Sequence, residues 1–589
     1  MGGIVGRIFH EFAFVLTTSI AVSMLVSLTV TPMMCSQLLK PQAAEKHNRI
    51  YRAFEHGFDL LLAGYRRTLI LSLAHPVLVI AILFATLALN VVLIGRVPKG
   101  FFPLQDTGGI QGGLQGAQDA SFQSMRDSVL DVEKVIEGDP AVDNVIGFTG
   151  GQGGPGGGAS NTGFTFIHLK PLKDREGNIS AAAVVDRLRP KLQKLTGAST
   201  FLQASQDLGV GGRQSNAAYQ YQLSADTVED LSNWGPRVYN EMLKIPQLKD
   251  VTTDQQNRGL QMLLSYDRQS AARYGITPQL IDNSLYFGFG ESQVSTIYTS
   301  LNQYYVVLQA APQFLLNPQT LRSTYVHSNT GGVVPLNAFT HSTASTSPLA
   351  INHSSFFPSV TVSFNLAPGV SLGQATLLID RMQRRIGVPA TVRGTFAGTA
   401  EAFQKSLSTE PVLILTALLA IYIVLGMLYE SLVHPITILT TLPSASVGAI
   451  IALIIFHSEL DVISIIGIFL LIGIVKKNAI MMIDFALIAE REHGKNTRDA
   501  IFEACILRFR PILMTTMAAL FGALPLAFGT GMGSELRRPL GVAIAGGLLF
   551  SQVLTLYTTP IIYLYFDRLS NRFKRRPSDA PLVSSAAGD

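Results

Sequence analysis

Residues 462–487 read VISIIGIFLLIGIVKKNAIMMIDFAL. Val462–Val475 carry no charge, and then Lys476, Lys477, Asn478 and Asp484 appear inside the same apolar run. A run of this length crosses a bilayer as a helix. A lysine at the centre of such a helix costs roughly 2.5–3.5 kcal/mol on insertion scales, so its presence asks for a reason. Neighbouring residues sit about 100° apart on a helix, so the two lysines cannot face one partner, whereas Lys477 and Asp484 share a face. Either Lys477 lies inside a helix bundle and exchanges protons or ion pairs with carboxylates on another helix, or both lysines snorkel to the cytoplasmic interface. Lys477 lies roughly 15 Å from the end of the apolar run, a long reach. The reach favours the buried pair for Lys477 and the snorkel for Lys476.

The rest of the chain is built to the same plan. It is 48% hydrophobic and 14% charged over 589 residues, with a mean hydropathy of +0.31. That is too apolar for an ordinary soluble protein and fits a membrane protein with sizeable soluble parts. The net charge of +5 is small, and the basic residues cluster beside apolar runs. They therefore report topology and not nucleic-acid binding. Two cysteines, Cys35 and Cys505, supply neither a disulfide framework nor a zinc cluster.

Residues 1–38 are read as a first membrane helix, since Ala13–Leu38 is uncharged and too long for a signal peptide. Residues 39–75 are basic, with Lys40, Lys46, Arg49, Arg52, Arg66 and Arg67. Tyr51, Phe54, Phe58, Leu61 and Leu62 recur between them at helical spacing. This describes a cytoplasmic amphipathic helix on the membrane surface, with a solvated loop as the alternative. Residues 76–95 form a second membrane helix, and the chain then leaves the membrane on the opposite, periplasmic side.

Residues 96–205 follow the order β-α-β-β-α-β of a ferredoxin-like unit. Residues 206–257 and 345–400 read as a second such unit, interrupted by an inserted subdomain at 258–344 whose exposed strands suit contacts with neighbouring subunits. The glycine-rich Gly147–Gly163 lacks a P-loop ending, so it reads as a moving gate or a plain strand connection. Residues 401–566 hold five further spans and 567–589 a basic cytoplasmic tail, giving about seven spans. The basic segments alternate with a loop, His457–Asp461, that holds no Lys or Arg, as positive-inside topology requires, with Arg537 and Arg538 on the outer side as the one local exception.

Several stretches together resemble the RND (resistance–nodulation–division) efflux transporters. GIVKKNAIMMIDFA (Gly473–Ala486) is similar to their tenth-helix motif, LRFRPILMTT (Leu507–Thr516) to the start of their eleventh helix, and FPLQDTGG (Phe102–Gly109) to the opening of their second periplasmic half. DPAVDNVIGFTGG, VGGRQSNAAYQYQL, STIYTSLNQYYVV, YIVLGMLYESLVHPITILTTLPSA and GSELRRPLG resemble the multidrug members. The resemblance begins at the family's sixth helix. The family's first five helices, its first periplasmic half and its fourth-helix aspartates have no counterpart.

The resemblance implies an all-α membrane bundle carrying an α+β periplasmic region of ferredoxin-like porter units and a docking subdomain. It implies proton-driven efflux of drugs and other amphiphilic small molecules across the bacterial inner membrane, by a secondary antiporter that is not an enzyme. No cofactor is implied, only the proton-motive force. Its partners would be other RND subunits in a homo- or hetero-trimer, a periplasmic adaptor, an outer-membrane channel and membrane lipid.

Lys477, Arg508 and Thr515 match the family's proton relay, and Asp484 stands where the family carries an acidic residue. Arg508 also reads as an interfacial anchor, and Thr515 as a hydroxyl bonded to its own helix. Phe148, Phe166 and Phe201 are the candidate lining of a substrate path, with strand-core packing as the alternative. Met125, Met242, Met262 and Met382 are scattered, so core packing outweighs metal handling. Two rival expectations remain: a truncated or split-gene half that is inactive without an amino-terminal half, and a non-transporting scaffold docked to a partner RND subunit.

Overall fold

The computed structural model describes residues 3–38, 49–150, 160–207, 209, 215, 217–315 and 317–574. The centre of the glycine-rich loop (151–159), Lys40 and Lys46, and the tail beyond residue 574 lie outside the described residues. Three helices come first: α1 (Gly3–Leu38), α2 (Arg49–Ala74) and α3 (Pro76–Arg96). Proline in the first turn of α3, where its missing N–H costs nothing, marks the corner between α2 and α3. The chain leaving α3 then runs beside the start of a later helix. Leu460 N–H donates to Pro98 O (2.8 Å), Gly100 N–H to Leu460 O (3.1 Å) and Val462 N–H to Phe101 O (3.1 Å).

The first α/β unit comprises β1 (Gly109–Gly116), α4 (Phe122–Glu137), β2 (Val142–Thr149), β3 (Thr162–Leu169), α5 (Ala181–Leu192) and β4 (Ala198–Ala204). Its antiparallel sheet has the order β2-β3-β1-β4. Alternation puts Ile110, Leu114, Ile167, Leu169 and Leu202 on one face, packed on Met125, Val129, Ile136, Val184 and Leu188 of the two helices. Ser121 and Ser180 cap the helices by accepting the amides of Ser124 and Ala183.

The second unit begins with β5 (Tyr219–Ala225), α6 (Val228–Leu243) and β6 (Leu248–Thr253). An insertion follows, containing β7 (Gly259–Tyr266), β8 (Ser292–Tyr298), β9 (Gln303–Leu308) and β10 (Thr340–Ser347). The unit resumes with β11 (Asn352–Ser354), β12 (Phe357–Leu366), α7 (Leu372–Ile386) and β13 (Val392–Ala397). Its sheet runs β11-β12-β5-β13, with β6 also on β12. The expected limit of the insertion at residue 344 cuts through β10, which pairs with β7 from Thr340 to Ser347. The alternating small and polar residues of that strand hide its end from a hydropathy reading. Met125, Met242 and Met382 pack in the two cores, while Met262 lies exposed on β7.

The remaining helices are α8 (Thr399–Tyr429), α9 (Leu442–Ile455, after a short helix His434–Leu439), α10 (Val462–Arg491), α11 (Thr497–Ala527) and α12 (Ser534–Lys574). α8 starts before residue 401, and α12 runs through the expected boundary at 566/567. Both carry polar turns beyond the apolar stretch, so hydropathy marks the spanning part and not the helix. Among the described residues seven helical stretches are long and apolar enough to cross a membrane, the short helix and α9 counting as one (His434–Ile455). α9 and α12 pack at glycines: a Cβ on Gly448 would meet Phe550 and the Gly546 carbonyl, so the backbones approach where side chains are absent. Coverage is uneven. The most apolar window of α12 is 61% buried and that of α1 is 0% buried, so α12 is central and α1 lies almost bare.

Candidate functional site

Midway along α10, polar residues point two ways. Asn478 is buried and faces inward. Its Nδ2 donates to Thr516 Oγ1 of α11 (3.2 Å) and to Gln552 Oε1 of α12 (3.3 Å), bolting three helices together. Lys477, one position earlier, is exposed, as are Gly473, Asp484 and Ile488. These four form one stripe along α10 that none of the described helices covers. Among the described residues no hydrogen bond or ion pair reaches Lys477 or Asp484. The buried ion pair expected for Lys477 is therefore not formed within the described residues, because the face that carries it is open. Lys476 is partly buried.

Arg508 and Thr515 lie on α11. The Arg508 guanidinium sits 4.7 Å from the Phe485 ring centroid of α10, a cation–π contact. Its Nε is buried without a hydrogen-bond partner. Thr515 donates to Ile512 O of its own helix (3.1 Å), so its hydroxyl is satisfied locally. The buried hydroxyl that joins helices is Thr516, which sequence reasoning passed over together with Gln552. Each sits in a pair of polar residues inside an apolar run, Thr516 beside Thr515 and Gln552 beside Ser551, and that was the available signal.

In the first α/β unit the aromatic candidates share the sheet face turned away from α4 and α5. The register places Phe148 opposite Phe164, Phe164 opposite Gly113, and Gly113 opposite Phe201 in one cross-strand row. Gly113 has no side chain and leaves a gap between two rings. Phe166 lies in the next row, opposite Ile146 and Gln111, and meets Phe148 edge to face at 6.1 Å. Phe148 is exposed and Phe166 and Phe201 are partly exposed, so none is strand core. Phe164, not singled out from sequence, completes this aromatic floor.

Two carboxylates lie where α10 meets the chain leaving α3. Asp461 caps α10 and accepts Ser464 N–H (2.6 Å). Burial pushes its carboxyl up to about 6 despite the Ser464 bonds. Burial, with the nearby Asp461 charge, pushes Glu459 up to about 7. The Glu459 carboxylate lies over Gly100, where any Cβ would collide with it. Among the described residues no group of His, Cys, Asp and Glu could hold a metal ion.

Comparison with known proteins puts these features in context. Residues 1–567 match the AcrB/AcrD/AcrF family. The chain is 51% identical to multidrug resistance protein MdtC of Cronobacter sakazakii, over 99% of this chain and 56% of that protein. It is 50% identical to MdtC of Escherichia coli, over 98% of this chain and 56% of that protein. With MdtC of Yersinia enterocolitica it shares 51% identity over 98% of this chain and 56% of that protein. The chain thus spans about half the length of the curated relatives it matches. A crystal structure of a heavy metal efflux pump has the same fold, with a TM-score of 0.77 and 23% identity, covering 87% of this chain and 53% of that one. The chain belongs to the AcrB/AcrD/AcrF family of RND transporters.

Proposed function

We propose, from that membership, that this chain works within a proton-driven exporter of drugs and other amphiphilic small molecules in the bacterial inner membrane. It acts as a secondary antiporter and performs no enzymatic step. The two α/β units are ferredoxin-like porter subdomains in the periplasm, and the insertion carrying β7–β10 is a docking subdomain. The working assembly is a trimer of RND subunits, of one or two types, served by a periplasmic adaptor and an outer-membrane channel. Its energy comes from the proton-motive force.

The observation that carries this reading is Lys477. It lies mid-span, unpaired among the described residues, on an open stripe of α10 beside Asp484. A charge held in low dielectric is tolerable beside ionised carboxylates, and protonating those carboxylates releases it. Such an element has two states whose balance protonation shifts. Arg508, stacked on Phe485 one residue from Asp484, extends the relay, with Thr515 beside the Thr516 junction. The aromatic floor of Phe148, Phe166 and Phe201, with Phe164, is the substrate path. Flat aromatic surface with no fixed charge suits amphiphiles of varied shape.

The open stripe also favours a second reading, in which the chain transports only when helices from another chain cover it. In that case the polypeptide alone is a scaffold. The test is efflux from cells expressing this chain alone, and with the amino-terminal half of MdtC, each with native Lys477 and with Lys477→Ala. Efflux by the pair that is abolished in Lys477→Ala supports the proposal. Efflux that survives Lys477→Ala refutes the assigned role, and none from either combination refutes transport.

A further inference from the structure

A second polar cluster lies at the basic end of the bundle. His434, at the start of the short helix before α9, stacks on Tyr563 of α12 with ring centroids 5.6 Å apart, and meets Tyr429 of α8 edge-on at 6.3 Å. Tyr429 packs in one cluster with Ile483 and Leu487, which flank Asp484 on α10, and its hydroxyl is buried without a hydrogen-bond partner. On the other side Tyr563 is buried and its hydroxyl donates to Glu490 Oε1 (3.1 Å). Glu490 interacts with Asp567, and Arg491 lies near both Glu490 and Tyr563. Thr497 donates to Asp567 Oδ2 (3.1 Å).

We propose that Tyr429, His434, Tyr563, Glu490 and Asp567 form the route by which a proton leaves the Lys477–Asp484 face of α10 for the basic end of the bundle. The inference rests on the proton-coupled reading above. Six residues separate Asp484 from Glu490, which places them about 240° apart around α10 and about 9 Å apart along it. No direct transfer spans that separation. The aromatic groups of α8, the short helix and α12 go around the helix instead.

Packing alone does not account for these residue types. Phenylalanine would fill the same positions without burying the unpartnered hydroxyl of Tyr429. The Tyr429 oxygen takes a proton arriving from the Asp484 side as its own hydroxyl hydrogen passes, through water, to the His434 imidazole. The His434 imidazole is protonated at one nitrogen as it releases the proton on the second. A water molecule carries that proton to the Tyr563 oxygen, as the Tyr563 hydroxyl hydrogen passes to the Glu490 carboxylate. Asp567 and bulk water then accept it. Only O–H and N–H bonds form and break, and one proton leaves for each that arrives.

The experiment uses the full chain assembled with the amino-terminal half of MdtC in vesicles loaded with a pH-sensitive dye. Drug-coupled proton flux is compared for His434→Phe and Tyr563→Phe, which keep the ring stack, and for Glu490→Gln and Glu490→Asp. The route requires at least a tenfold loss of flux in the first three and recovery in Glu490→Asp. Unchanged flux in His434→Phe and Tyr563→Phe, with flux abolished in Lys477→Ala, overturns the route and leaves the coupling reading standing. Flux retained in Lys477→Ala overturns both. Where a variant fails to assemble, infrared spectroscopy of the purified chain decides. The carboxyl band identified by its loss in Glu490→Gln must shift in Tyr563→Phe, and an unmoved band overturns the link.

Discussion

Replacing Arg175 with methionine would leave a carboxylate stranded inside the first α/β unit. Arg175 and Asp106 form a two-pronged pair, NH1 to Oδ2 at 2.6 Å and NH2 to Oδ1 at 3.2 Å, with side chains 0% and 4% exposed. Asp106 also accepts Gly108 N–H (3.0 Å) and Ala181 N–H (2.9 Å). Arg175 donates further to Lys170 O (2.7 Å) and Ile179 O (3.1 Å). The pair thus ties the start of β1 to the start of α5 with no lone pair wasted. Breaking a buried pair from one side costs about 3–5 kcal/mol, because the surviving charge stays buried. At about 1.4 kcal/mol per decade that is a loss of roughly 10² to 4 × 10³ in hydrogen-exchange protection.

The assay is native-state exchange on the full chain in lipid nanodiscs, read at the amides of Leu169 and Ala181. The pH dependence has a definite sign. Burial raises the Asp106 carboxyl, but the Arg175 hydrogen bond, the Ala181 and Gly108 amides and the Arg175 charge together bring it below its ordinary 3.8. Its contribution is therefore complete above pH 3.8 and is lost as pH falls through the lower folded value. In Arg175→Met burial remains while the arginine is gone, so Asp106 takes up a proton more readily and the deficit shrinks on acidification from pH 7. A loss of protection under fivefold at pH 7, or a deficit that grows toward pH 5, would refute this reasoning.

Three other outcomes can be measured on the same material. Asn478→Leu removes two interhelical hydrogen bonds, each worth about 0.6–2 kcal/mol in a membrane, and should lower the unfolding midpoint read by the single tryptophan, Trp234. Asp461 and Glu459 have folded values raised to about 6 and about 7 from 3.8 and 4.5. Their stabilisation is present below about pH 4 and lost as pH rises to 7. Exchange at Gly100, Leu460 and Val462 should therefore slow between pH 7.5 and 5.5, and Glu459→Gln should flatten that dependence. Phe164→Ala should weaken binding of an amphiphilic fluorescent dye several-fold, whereas the same change at the helix-packed Ile167 should act through stability instead; equal binding by Phe164→Ala counts against the aromatic floor.

The sequence is readable where a single environment decides each position. Thr162–Leu169 alternates because helices cover one face of its strand, and α5 shows a helical period because it buries one stripe. α2 is harder, since it carries apolar residues on two faces. Tyr51, Phe54 and Leu61 follow the helical period yet are exposed. The contact with the bundle is made by Tyr65, stacked on Phe509 at 4.6 Å and bonded to Leu556 O, and by the fully buried Leu69. Period alone does not tell lipid from protein as the apolar partner. Thr515 and Thr516 show the same difficulty at the candidate site. They are neighbours on one helix and donate to the same Ile512 carbonyl, and only the arrival of Asn478 separates them. Phe164 escaped notice because pairing partners across a sheet are set by register, which lies outside any local window.

The polar groups of α10 also fix what kind of surface its open stripe is. Burying an amide in a bundle is tolerable when donors and acceptors meet, as Asn478, Thr516 and Gln552 do. Exposing a mid-span lysine to hydrocarbon is a heavier burden, and turning α10 by about 100° would exchange the two. The three-helix amide junction prevents that turn, so it holds the ammonium outward at the expense of its own solvation. A helix selected only to sit in lipid would place leucine at position 477. Keeping lysine there, locked on the uncovered side with Asp484 two turns away, makes sense if acidic groups meet it from beyond this chain's own helices. Under the proposed function, the stripe is an interface whose strength depends on the protonation of whatever faces it.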